Sequence, residues 1–456
     1  MTKLLAASLA FASISSLHAL PPATDRIVVL ISVDGTAQYY LDDPKAEIPN
    51  IRRLAAEGGR AEMMKASMPT VTWPNHTTLV TGVNPAKHGV LGNSYLEREK
   101  GTVMTLLADP VLNKDEIVKS PTIYDLARQA GLRTAAITWP ASRGAKTLDW
   151  TVPDVATKAL YDQFITPELI KEFTEQGIPW EQQEQWWKDG KGRSRDRMYT
   201  QMLIHVIRHH RPNVALLHLV EVDHVEHSHG PQSPEAYAAL KFEDERVGEI
   251  EQELKHDFPG KATLIVTADH GFFPYQQQVQ PNVLLRKEGL LKALAGKITG
   301  GQVRALSQGG ASFIYVLDKG NREALIKTVA EKFKDVEGVQ VVVTPENFAK
   351  QGVGDPLKDS RLPDLMLSAK KGYSFSDTAG GEDVVTAKSA EVKGSHGYDP
   401  NEPMMHAIFV AWGAGIKPGT RLGVISNTDV APTMAELLGL KVPDSDGKVL
   451  GELLAR

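Results

Sequence analysis

Long apolar runs alternate along this chain with segments whose apolar residues recur at helical spacing. The run from Ile27 to Val33 ends in Asp34-Gly35 and is almost unbroken. Strands have this character when both faces of a parallel sheet are covered. We predict such strands at 26–34, 134–139, 213–220 and 262–268, and helices at 48–58, 122–130, 196–209 and 234–254. This order predicts an α/β fold, a doubly wound, mostly parallel sheet with helices on both faces.

Two segments depart from this alternation. The first, from about 158 to 192, is polar and aromatic and is interpreted as a lid-like helical insertion between about 150 and 195. The second, residues 295–390, is less regular and is interpreted as a smaller inserted α+β subdomain. Within it we expect strands at 311–317 and 339–343 and a helix at 323–333. The core then comprises residues 25–294 and 391–456, with a further strand at 405–411 and a last helix near 430–438.

The first nineteen residues have the layout of a secretory signal peptide. Lys3 precedes an apolar run from Leu4 to Leu17, and the small residue Ala19 marks the expected cleavage site. The run is shorter than the about 20 residues that span a membrane, although an uncleaved anchor is the alternative. We expect an exported protein of bacterial type, periplasmic or secreted, with no transmembrane domain after signal removal.

Composition narrows the chemistry further. The chain has 456 residues, 42% hydrophobic and 23% charged, and a net charge of −5. This composition is typical of a globular protein, and the absence of a long basic run argues against a nucleic-acid scaffold. The chain has no cysteine, which excludes disulfides, a thiolate nucleophile and cysteine-based metal sites. The sequence does not indicate an oligomeric state.

The predicted strand ends carry side chains of metal-ligand type. Functional residues gather beyond the carboxyl ends of the strands in open parallel sheets. Mixtures of Asp oxygen and His nitrogen suit Zn²⁺, with other divalent ions as possibilities, and six such ligands suffice for two ions. The candidates are Asp34, Asp223, His227, Asp269, His270 and His396. Three further histidines, His218, His224 and His229, are interpreted as structural or solvated and receive no role.

Thr72 is the candidate nucleophile. It stands just before a predicted short helix, and Pro74 suits the first helical position, where no N–H is needed. Unpaired N–H groups and the helix dipole at such an end favour an alkoxide or a phosphate. The alternative is that Thr72 is only an N-cap.

The order of these motifs resembles the alkaline phosphatase superfamily and, within it, the type I phosphodiesterase/nucleotide pyrophosphatase family. The resemblance extends from about Arg26 to Leu440. It rests on Val33-Asp34-Gly35, Pro69-Thr70-Val71-Thr72-Trp73-Pro74-Asn75-His76, His88-Gly89 with Gly92-Asn93, Asp223 with His227, Asp269-His270-Gly271, and Gly394-Ser395-His396-Gly397-Tyr398.

The resemblance implies a role for each matched residue. Asp34, Asp269 and His270 would hold one zinc next to the Thr72 oxygen, and Asp223, His227 and His396 would hold the other. Thr72 would form a transient phosphothreonine. Asn93 would donate a hydrogen bond to a non-bridging phosphoryl oxygen, helped by the backbone of Thr72 and Trp73. The implied substrate is a small phosphate ester or nucleotide.

Two positions depart from the family pattern. Trp73 stands where the family usually has Phe, and it either lines the substrate pocket or belongs to the core. Arg143 follows a variant of the family's Trp-Pro-Gly-Ser motif, and it either binds phosphate oxygens or lies on the surface. A phosphate-binding arginine would favour a phosphomonoesterase over a diesterase. Two more functions stay open on this scaffold, a phosphonate hydrolase and a catalytically dead binding protein, whereas a sulfatase is disfavoured because position 72 is Thr.

Overall fold

A computed structural model describes residues 23–455 of the chain, so the predicted signal peptide at 1–19 lies outside the described residues. The strands are β1 Ile27–Val33, β2 Gly59–Lys65, β3 Ser94–Glu97, β4 Thr102–Thr105, β5 Thr134–Ile137, β6 Trp150–Val152, β7 Val214–Leu219, β8 Ala262–Thr267, β9 Phe273–Val279, β10 Leu291–Leu294, β11 Lys297–Gly301, β12 Val303–Gln308, β13 Ala311–Val316, β14 Val339–Val343, β15 Leu365–Ala369, β16 Gly372–Phe375, β17 Lys393–Ser395, β18 Phe409–Gly413 and β19 Thr420–Ser426.

The α-helices connect these strands and differ widely in length. They are α1 Pro49–Glu57, α2 Thr72–Thr81, α3 Pro85–His88, α4 Lys114–Ile117, α5 Ile123–Gln129, α6 Lys158–Phe164, α7 Pro167–Glu175, α8 Gln183–Lys188, α9 Gly192–His210, α10 Glu221–His229, α11 Pro234–Asp257, α12 Pro281–Lys287, α13 Arg322–Lys334, α14 Pro345–Phe348 and α15 Val430–Leu437. Within residues 23–455, no helix is long and apolar enough to cross a membrane.

An eight-stranded sheet forms the centre of the molecule, in the order β19-β2-β18-β8-β1-β7-β5-β6. The five strands from β8 to β6 are parallel, and β18 is antiparallel to both of its neighbours. Every residue of β1, β7 and β8 is buried. Because successive side chains of a strand point to opposite faces, both faces of the sheet are covered. The predicted doubly wound α/β fold is confirmed.

One predicted strand begins and ends later in the chain than expected. The apolar pattern predicts a strand at 405–411, whereas β18 spans Phe409–Gly413. Ahead of it, Pro403–Met405 form a 3-10 turn and Ala407 makes only isolated bridges to Ala37 and Met64. The apolar side chains before β18 are therefore buried by a turn and a bridge rather than by a continuous ladder.

The predicted insertions have regular structure of their own. The lid-like segment contains α6, α7 and α8. The predicted subdomain contains a four-stranded antiparallel sheet in the order β12-β13-β15-β14, against which α13 packs. Its hydrophobic cluster includes Val279 and Tyr398, which lie outside the predicted limits of 295–390. The division into a core and a subdomain at those limits stays a prediction.

Candidate active site

The three aspartates predicted as metal ligands come together at one edge of the central sheet. Asp34 directly follows β1, and Asp269 follows β8, the parallel neighbour of β1. Asp223 lies in the first turn of α10, which begins just after β7, the parallel neighbour on the other side. Since the carboxyl ends of parallel strands meet at one sheet edge, three positions distant in sequence become neighbours.

Several ligand atoms at this edge are buried without a hydrogen-bond partner. Asp34 Oδ1, Asp223 Oδ1, Asp269 Oδ2 and His270 Nε2 are in this state. Ligand atoms of Asp34, Asp269 and His270 all lie within 4.8 Å of one another, and those of Asp223, His270 and His396 form a second such group. Buried polar atoms without partners are costly and need an explanation. This set of oxygen and nitrogen donors fits divalent cations such as Zn²⁺.

The candidate histidine ligands present their Nε2 atoms to the site. Each Nδ1 instead faces a main-chain carbonyl oxygen, at 3.2 Å from His227 to Gly394, 3.2 Å from His270 to Gly271 and 3.1 Å from His396 to Thr70. A proton held on Nδ1 by such a contact leaves the Nε2 lone pair free. This is the arrangement that metal-ligating histidines usually have.

The structure brings all six predicted metal ligands together. Asp223 Oδ1 lies 3.5 Å from Nε2 of His227 and 3.6 Å from Nε2 of His396, whose two Nε2 atoms are 3.2 Å apart. On the other side, His270 Nε2 lies 3.0 Å from Asp269 Oδ2. The rings of His270 and His396 stack with centroids 3.8 Å apart, which connects the two groups.

The electrostatics of the cluster follow from burial and crowding. Burial, together with the neighbouring carboxylates, raises the pKa of Asp34 and of Asp269. Burial lowers the pKa of His270 and lowers that of His396 to about 4, and the neighbouring imidazoles act in the same direction. Burial opposes the ionisation of Asp223, but the contacts with His227 and the other imidazoles outweigh it and lower its pKa. Against the effect of burial, Asp223 in turn raises the pKa of His227, so the neutral form is favoured at His270 and His396 but not at His227. Crowded carboxyl groups beside these two neutral imidazoles form a site that gains from a bound cation.

Glycines let the His396 loop approach the rest of the site. A Cβ atom on Gly394 would lie 2.3 Å from the carbonyl oxygen of Glu226. Gly397 has φ +93°, and a Cβ there would lie 1.9 Å from the carbonyl oxygen of Gln308. Only glycine fits such close backbone contacts, and only glycine adopts this φ without strain.

Thr72 is the first residue of α2, so the predicted helix start is displaced. The N-cap is Val71, and Pro74 is the third helical residue instead of the first. Thr72 therefore does not act as the N-cap, because no side-chain capping bond is made at this helix end. Its side chain lines the same cavity as Asp34 and Asp223.

Asn93 is held against the same helix end. Its Oδ1 accepts a hydrogen bond of 2.9 Å from the backbone N–H of Trp73, the residue after Thr72. Its own backbone N–H donates to Oε1 of Gln308 at 3.1 Å, so β12 of the inserted sheet supports it. Because Oδ1 is the acceptor, the amide nitrogen is the atom of Asn93 left to donate to a ligand.

The two predicted substrate-binding residues that depart from the family pattern are largely buried. Trp73 is 2% exposed and donates its indole N–H to Asp109 Oδ1 at 2.7 Å, although it still contributes to the cavity wall. Arg143 is 4% exposed, and its guanidinium binds the main-chain oxygens of Asp109 and Val111 and the side chain of Asn113. The structure therefore places Arg143 neither in the pocket nor on the surface, because its N–H groups hold the 109–113 loop.

A cavity of about 350 Å³ opens above the cluster. Thr72, Asn93 and four of the candidate metal ligands line it, namely Asp34, Asp223, His227 and His396. Part of its wall comes from the lid-like segment and the start of α9, and sequence reasoning had no means of assigning these side chains. The wall residues are Trp73, Leu107, Asp154, Trp187, Gly190, Gly192, Arg195, His218, Val220 and His224. The guanidinium of Arg195 lies 4.3 Å from the ring centre of Trp187, which gives this wall a cationic and aromatic character.

His218, for which the sequence suggested no role, is part of this site. It is 1% exposed and lies in β7 among apolar residues. Its Nε2 lies 2.8 Å from Asp34 Oδ2, and its Nδ1 lies 3.5 Å from Asp154 Oδ2. The available signal was a polar residue inside an otherwise apolar strand, since such a side chain needs a buried partner.

Solved structures of ectonucleotide pyrophosphatase/phosphodiesterases are similar to this fold. Murine ectonucleotide pyrophosphatase/phosphodiesterase 5, in an inactive form in complex with AMP, aligns with a TM-score of 0.70 and 19% identity. The alignment covers 94% of this chain and 100% of that chain. The human counterpart gives a TM-score of 0.70 and 20% identity over the same shares. This likeness shows a shared fold.

Sequence comparison identifies relatives along nearly the whole chain. An uncharacterized pyrophosphatase/phosphodiesterase of Schizosaccharomyces pombe is 24% identical over 439 residues, covering 94% of this chain and 80% of that protein. Venom phosphodiesterase of Macrovipera lebetinus and family member 3 of the ectonucleotide pyrophosphatase/phosphodiesterases from Bos taurus are also 24% identical, over 92% and 94% of this chain. The chain spans less than half the length of these two proteins, 44% and 43%.

A protein-family comparison covers the regions that hold the site. The family model described as type I phosphodiesterase / nucleotide pyrophosphatase matches residues 28–399. This range includes all of β1 except its first residue, the start of α2, the ends of β7 and β8, the start of α10, and the loop around His396. The predicted resemblance is confirmed, and the chain belongs to the type I phosphodiesterase/nucleotide pyrophosphatase family.

Proposed function

We propose that this chain is a metal-dependent hydrolase that cleaves phosphodiester or pyrophosphate bonds of small nucleotide-type substrates, with Thr72 as the nucleophile. The observation that carries this proposal is the convergence of unpartnered, buried carboxylate and imidazole atoms in one cluster. Two members of that cluster, Asp34 and Asp223, line the same cavity of about 350 Å³ as Thr72. Membership of the family supports hydrolysis of phosphate esters.

Two groups of residues would hold the metal ions. Asp34, Asp269 and His270, with the Thr72 oxygen, form the first group, and Asp223, His227 and His396 form the second. The proposed ions are two Zn²⁺, and a different divalent ion would suit the same donors. When bound, such ions would supply Lewis-acid stabilisation of the attacking and departing oxygens. The chain's own contribution is to hold these donors in place before substrate arrives.

Thr72 suits the attacking role because of its position in α2. Its hydroxyl lies at the first helical residue, where the unpaired N–H groups and the helix dipole favour negative charge. Asn93 is fixed by its contact with the Trp73 N–H, so its amide nitrogen can donate to a non-bridging phosphoryl oxygen. A preorganised donor of this kind acts most strongly where charge develops in the transition state.

The reaction proceeds in two displacements at phosphorus. In the first, the Thr72 Oγ–P bond forms, the bond from phosphorus to the leaving oxygen breaks, and the hydroxyl proton passes by way of solvent to the leaving oxygen. In the second, the oxygen of a water molecule forms a new bond to phosphorus, the Oγ–P bond breaks, and one proton of that water passes to Oγ and regenerates the threonine hydroxyl. The net change is the addition of one water across one P–O bond.

Several findings support a nucleotide-type substrate. The relatives include pyrophosphatase/phosphodiesterases and venom phosphodiesterases, and a related solved structure contains AMP. The cavity has aromatic walls in Trp187 and the edge of Trp73, and its volume falls in the range of small-molecule sites. We therefore expect one product to be a phosphomonoester such as a nucleoside monophosphate.

An assay on three substrates tests this proposal against the competing functions. A nitrophenyl nucleotide diester, a simple aryl diester and an aryl monoester are compared with and without chelator. We expect chelator-sensitive turnover, fastest on the nucleotide diester. A preference for the monoester would favour a phosphomonoesterase. If none of the three substrates is turned over, a phosphonate is assayed as well: its hydrolysis would favour a phosphonate hydrolase, and no turnover of it would favour a binding protein on this scaffold.

The role of Thr72 is tested by a pair of substitutions. Thr72→Ala is expected to abolish turnover while metal content per chain stays near that of the wild type. Thr72→Ser is the matched control, because it keeps the hydroxyl at the first residue of α2 and should retain measurable turnover. Full activity of the alanine variant would remove Thr72 from the mechanism.

We also propose that the chain is exported. The amino-terminal pattern at residues 1–19 and the secreted venom relatives support this. Expression of the whole chain in a Gram-negative host should give activity in the periplasmic fraction. A chain without residues 1–19 should keep its activity in the cytoplasm.

A further inference from the structure

A second cluster of ligand-type side chains lies away from the active site, between α7 and α9. Nε2 of His205 and Nε2 of His210 lie 2.7 and 2.8 Å from the same atom, Oε2 of Glu172. The three donor atoms all lie within 4.8 Å of one another. They come from the middle of α7 and from the last two turns of α9.

The surroundings hold this cluster in place while leaving it reachable from solvent. The ring of His210 stacks on Trp150 with centroids 4.5 Å apart, and the ring of His205 meets Phe173 edge to face at 5.5 Å. The side chains of His205, His210 and Glu172 are 8%, 17% and 28% exposed. Both imidazoles are thus oriented by aromatic packing, and an ion can enter beside the carboxylate.

The cluster is separate from the catalytic cavity although it shares a helix with it. Arg195, near the start of α9, lines the cavity, and His205 follows ten residues later. At a rise of about 1.5 Å per residue, the two positions are about 15 Å apart along the helix axis. An ion bound at Glu172 would therefore leave the catalytic metal ligands untouched.

We propose that Glu172, His205 and His210 bind a divalent transition-metal ion, with Zn²⁺ as the probe of choice. Two imidazole nitrogens and one carboxylate oxygen are a known zinc donor set that leaves a fourth position for water. Tetrahedral ligation at about 2.0–2.1 Å separates neighbouring donors by about 3.4 Å. The present N···O distances would widen by about 0.6 Å to reach that geometry, and small rotations of the partly exposed Glu172 side chain would provide this change.

The bound ion would connect two parts of the chain that are otherwise joined by packing. α7 belongs to the lid-like segment, whereas α9 packs on α11 and on β7 of the central sheet. Coordination by Glu172 from one helix and by two histidines from the other would fix α7 to the core. Trp187 lies on α8, which packs on α9 and belongs to the same lid-like segment as α7. By fixing α7 to α9, the ion would also restrict the movement of the segment that supplies Trp187.

The rival interpretation is that the cluster is only a hydrogen-bonded group in which one carboxylate oxygen accepts from two imidazoles. Zinc stoichiometry distinguishes the two. Protein stripped with chelator is reloaded with excess Zn²⁺, desalted and measured by elemental mass spectrometry. We expect the wild type to retain one zinc per chain more than Glu172→Gln or His210→Ala, whatever the number held by the catalytic site. The variants should keep the wild-type kcat.

His209→Ala is the matched control. His209 is an exposed histidine between the same ligands, with its ring 4.4 Å from that of His205, but it is not among the converging donors. It should retain the wild-type zinc content, and zinc should raise the Tm of this control and of the wild type by several degrees more than that of Glu172→Gln. Equal zinc content and equal Tm shifts in the wild type and Glu172→Gln would overturn the proposal, as would loss of the extra zinc only in His209→Ala.

Discussion

Nε2 of His218 lies 2.8 Å from Oδ2 of Asp34, inside the sheet at the floor of the cavity. On its other side, the Nδ1 of His218 faces the carbonyl oxygen of Thr138 at 3.2 Å and Asp154 Oδ2 at 3.5 Å. Oδ2 of Asp34 therefore contacts His218, whereas Oδ1 of Asp34 is buried and has no hydrogen-bond partner. We infer that His218 is a positioning residue, which would fix the orientation in which Asp34 meets the proposed ion.

Substitution of His218 should weaken metal retention at the site that contains Asp34. In His218→Asn, the side-chain amide can still reach the Thr138 carbonyl but is too short for Asp34 Oδ2. We expect zinc affinity to fall about 10- to 100-fold, as is usual when the outer partner of a metal ligand is lost. The measurement is zinc retained against a competing chelator, followed together with turnover.

His218→Gln is the matched control for that experiment. The glutamine amide nitrogen reaches about as far as Nε2 of the imidazole, so the hydrogen bond to Asp34 can form again. We expect it to recover most of the zinc affinity although the ring is gone. If the asparagine and glutamine variants bind zinc equally well, the contact with Asp34 does not orient the ligand.

Asn93 should contribute through its amide nitrogen. Its Oδ1 already accepts from the Trp73 N–H, so Asn93→Asp preserves that contact but replaces the donor by an acceptor. We expect kcat to fall about 10²- to 10³-fold in Asn93→Ala, the usual effect of losing one such donor, and at least as far in Asn93→Asp. Zinc content should stay normal in both. Wild-type kcat in Asn93→Asp would exclude a role as a donor.

The close approach of the His396 loop predicts a strong effect of a single methyl group. Gly397→Ala combines an unfavourable φ of +93° with a Cβ that would lie 1.9 Å from the Gln308 carbonyl oxygen. We expect a loss of at least about 2 kcal/mol in unfolding free energy and reduced zinc at the group that includes His396. Calorimetry and elemental analysis measure the two effects.

A second glycine, Gly372, separates the effect of backbone strain from that of a steric clash of the added methyl group. Gly372 has a similar φ of +87°, but a Cβ there would meet nothing within 4 Å. Gly372→Ala should cost only about 1 kcal/mol and leave zinc content unchanged. If both variants lose the same stability and neither loses zinc, the contact between Gly397 and Gln308 does not position His396.

Much of the site was predictable because it depends on strand ends. The apolar runs of β1, β7 and β8 are long and fully buried, and Asp34, Asp269 and Asp223 lie one, two and four residues past their ends. Because the carboxyl ends of adjacent parallel strands lie at one edge of the sheet, residues just past these ends are expected to be neighbours. Asp223 and His227 were also predictable as neighbours, because they are four residues apart on one helix, α10.

The remaining parts depend on long-range packing that no local pattern encodes. The motif around Arg143 left open a phosphate-binding residue or a surface residue, yet Arg143 binds the loop at 109–113, some thirty positions earlier in the chain. Gln308 supports Asn93 from the inserted sheet, which the sequence does not connect to the site. The lid residue Trp187 reaches the cavity through the packing of α8 on α9. Each of these contacts is decided by tertiary structure after the local elements have formed.

Asp109, which accepts the indole N–H of Trp73, predicts a pH dependence of stability. Burial raises the pKa of this carboxyl from its ordinary value of 3.8 to about 7. Between about pH 4 and pH 7 the unfolded chain is ionised at this position while the folded chain holds the proton. Unfolding then releases a proton, so this group's contribution to stability falls as pH rises through that window, by about 1.4 kcal/mol per pH unit at most.

Asp109→Asn should remove this contribution while keeping an oxygen that accepts the Trp73 N–H. Urea unfolding at pH 5 and pH 8 measures the contribution of Asp109 to the free energy of unfolding. We expect the free energy of unfolding of the wild type to fall between the two by about 2–3 kcal/mol more than that of the variant, because about two pH units of the window lie above pH 5. In Asp383→Asn, a substitution at an exposed position, the free energy of unfolding should change between the two pH values by as much as in the wild type. If the free energy of unfolding changes equally between pH 5 and pH 8 in the wild type and in Asp109→Asn, Asp109 is ionised in the folded protein. The indole N–H of Trp73 then donates to a carboxylate.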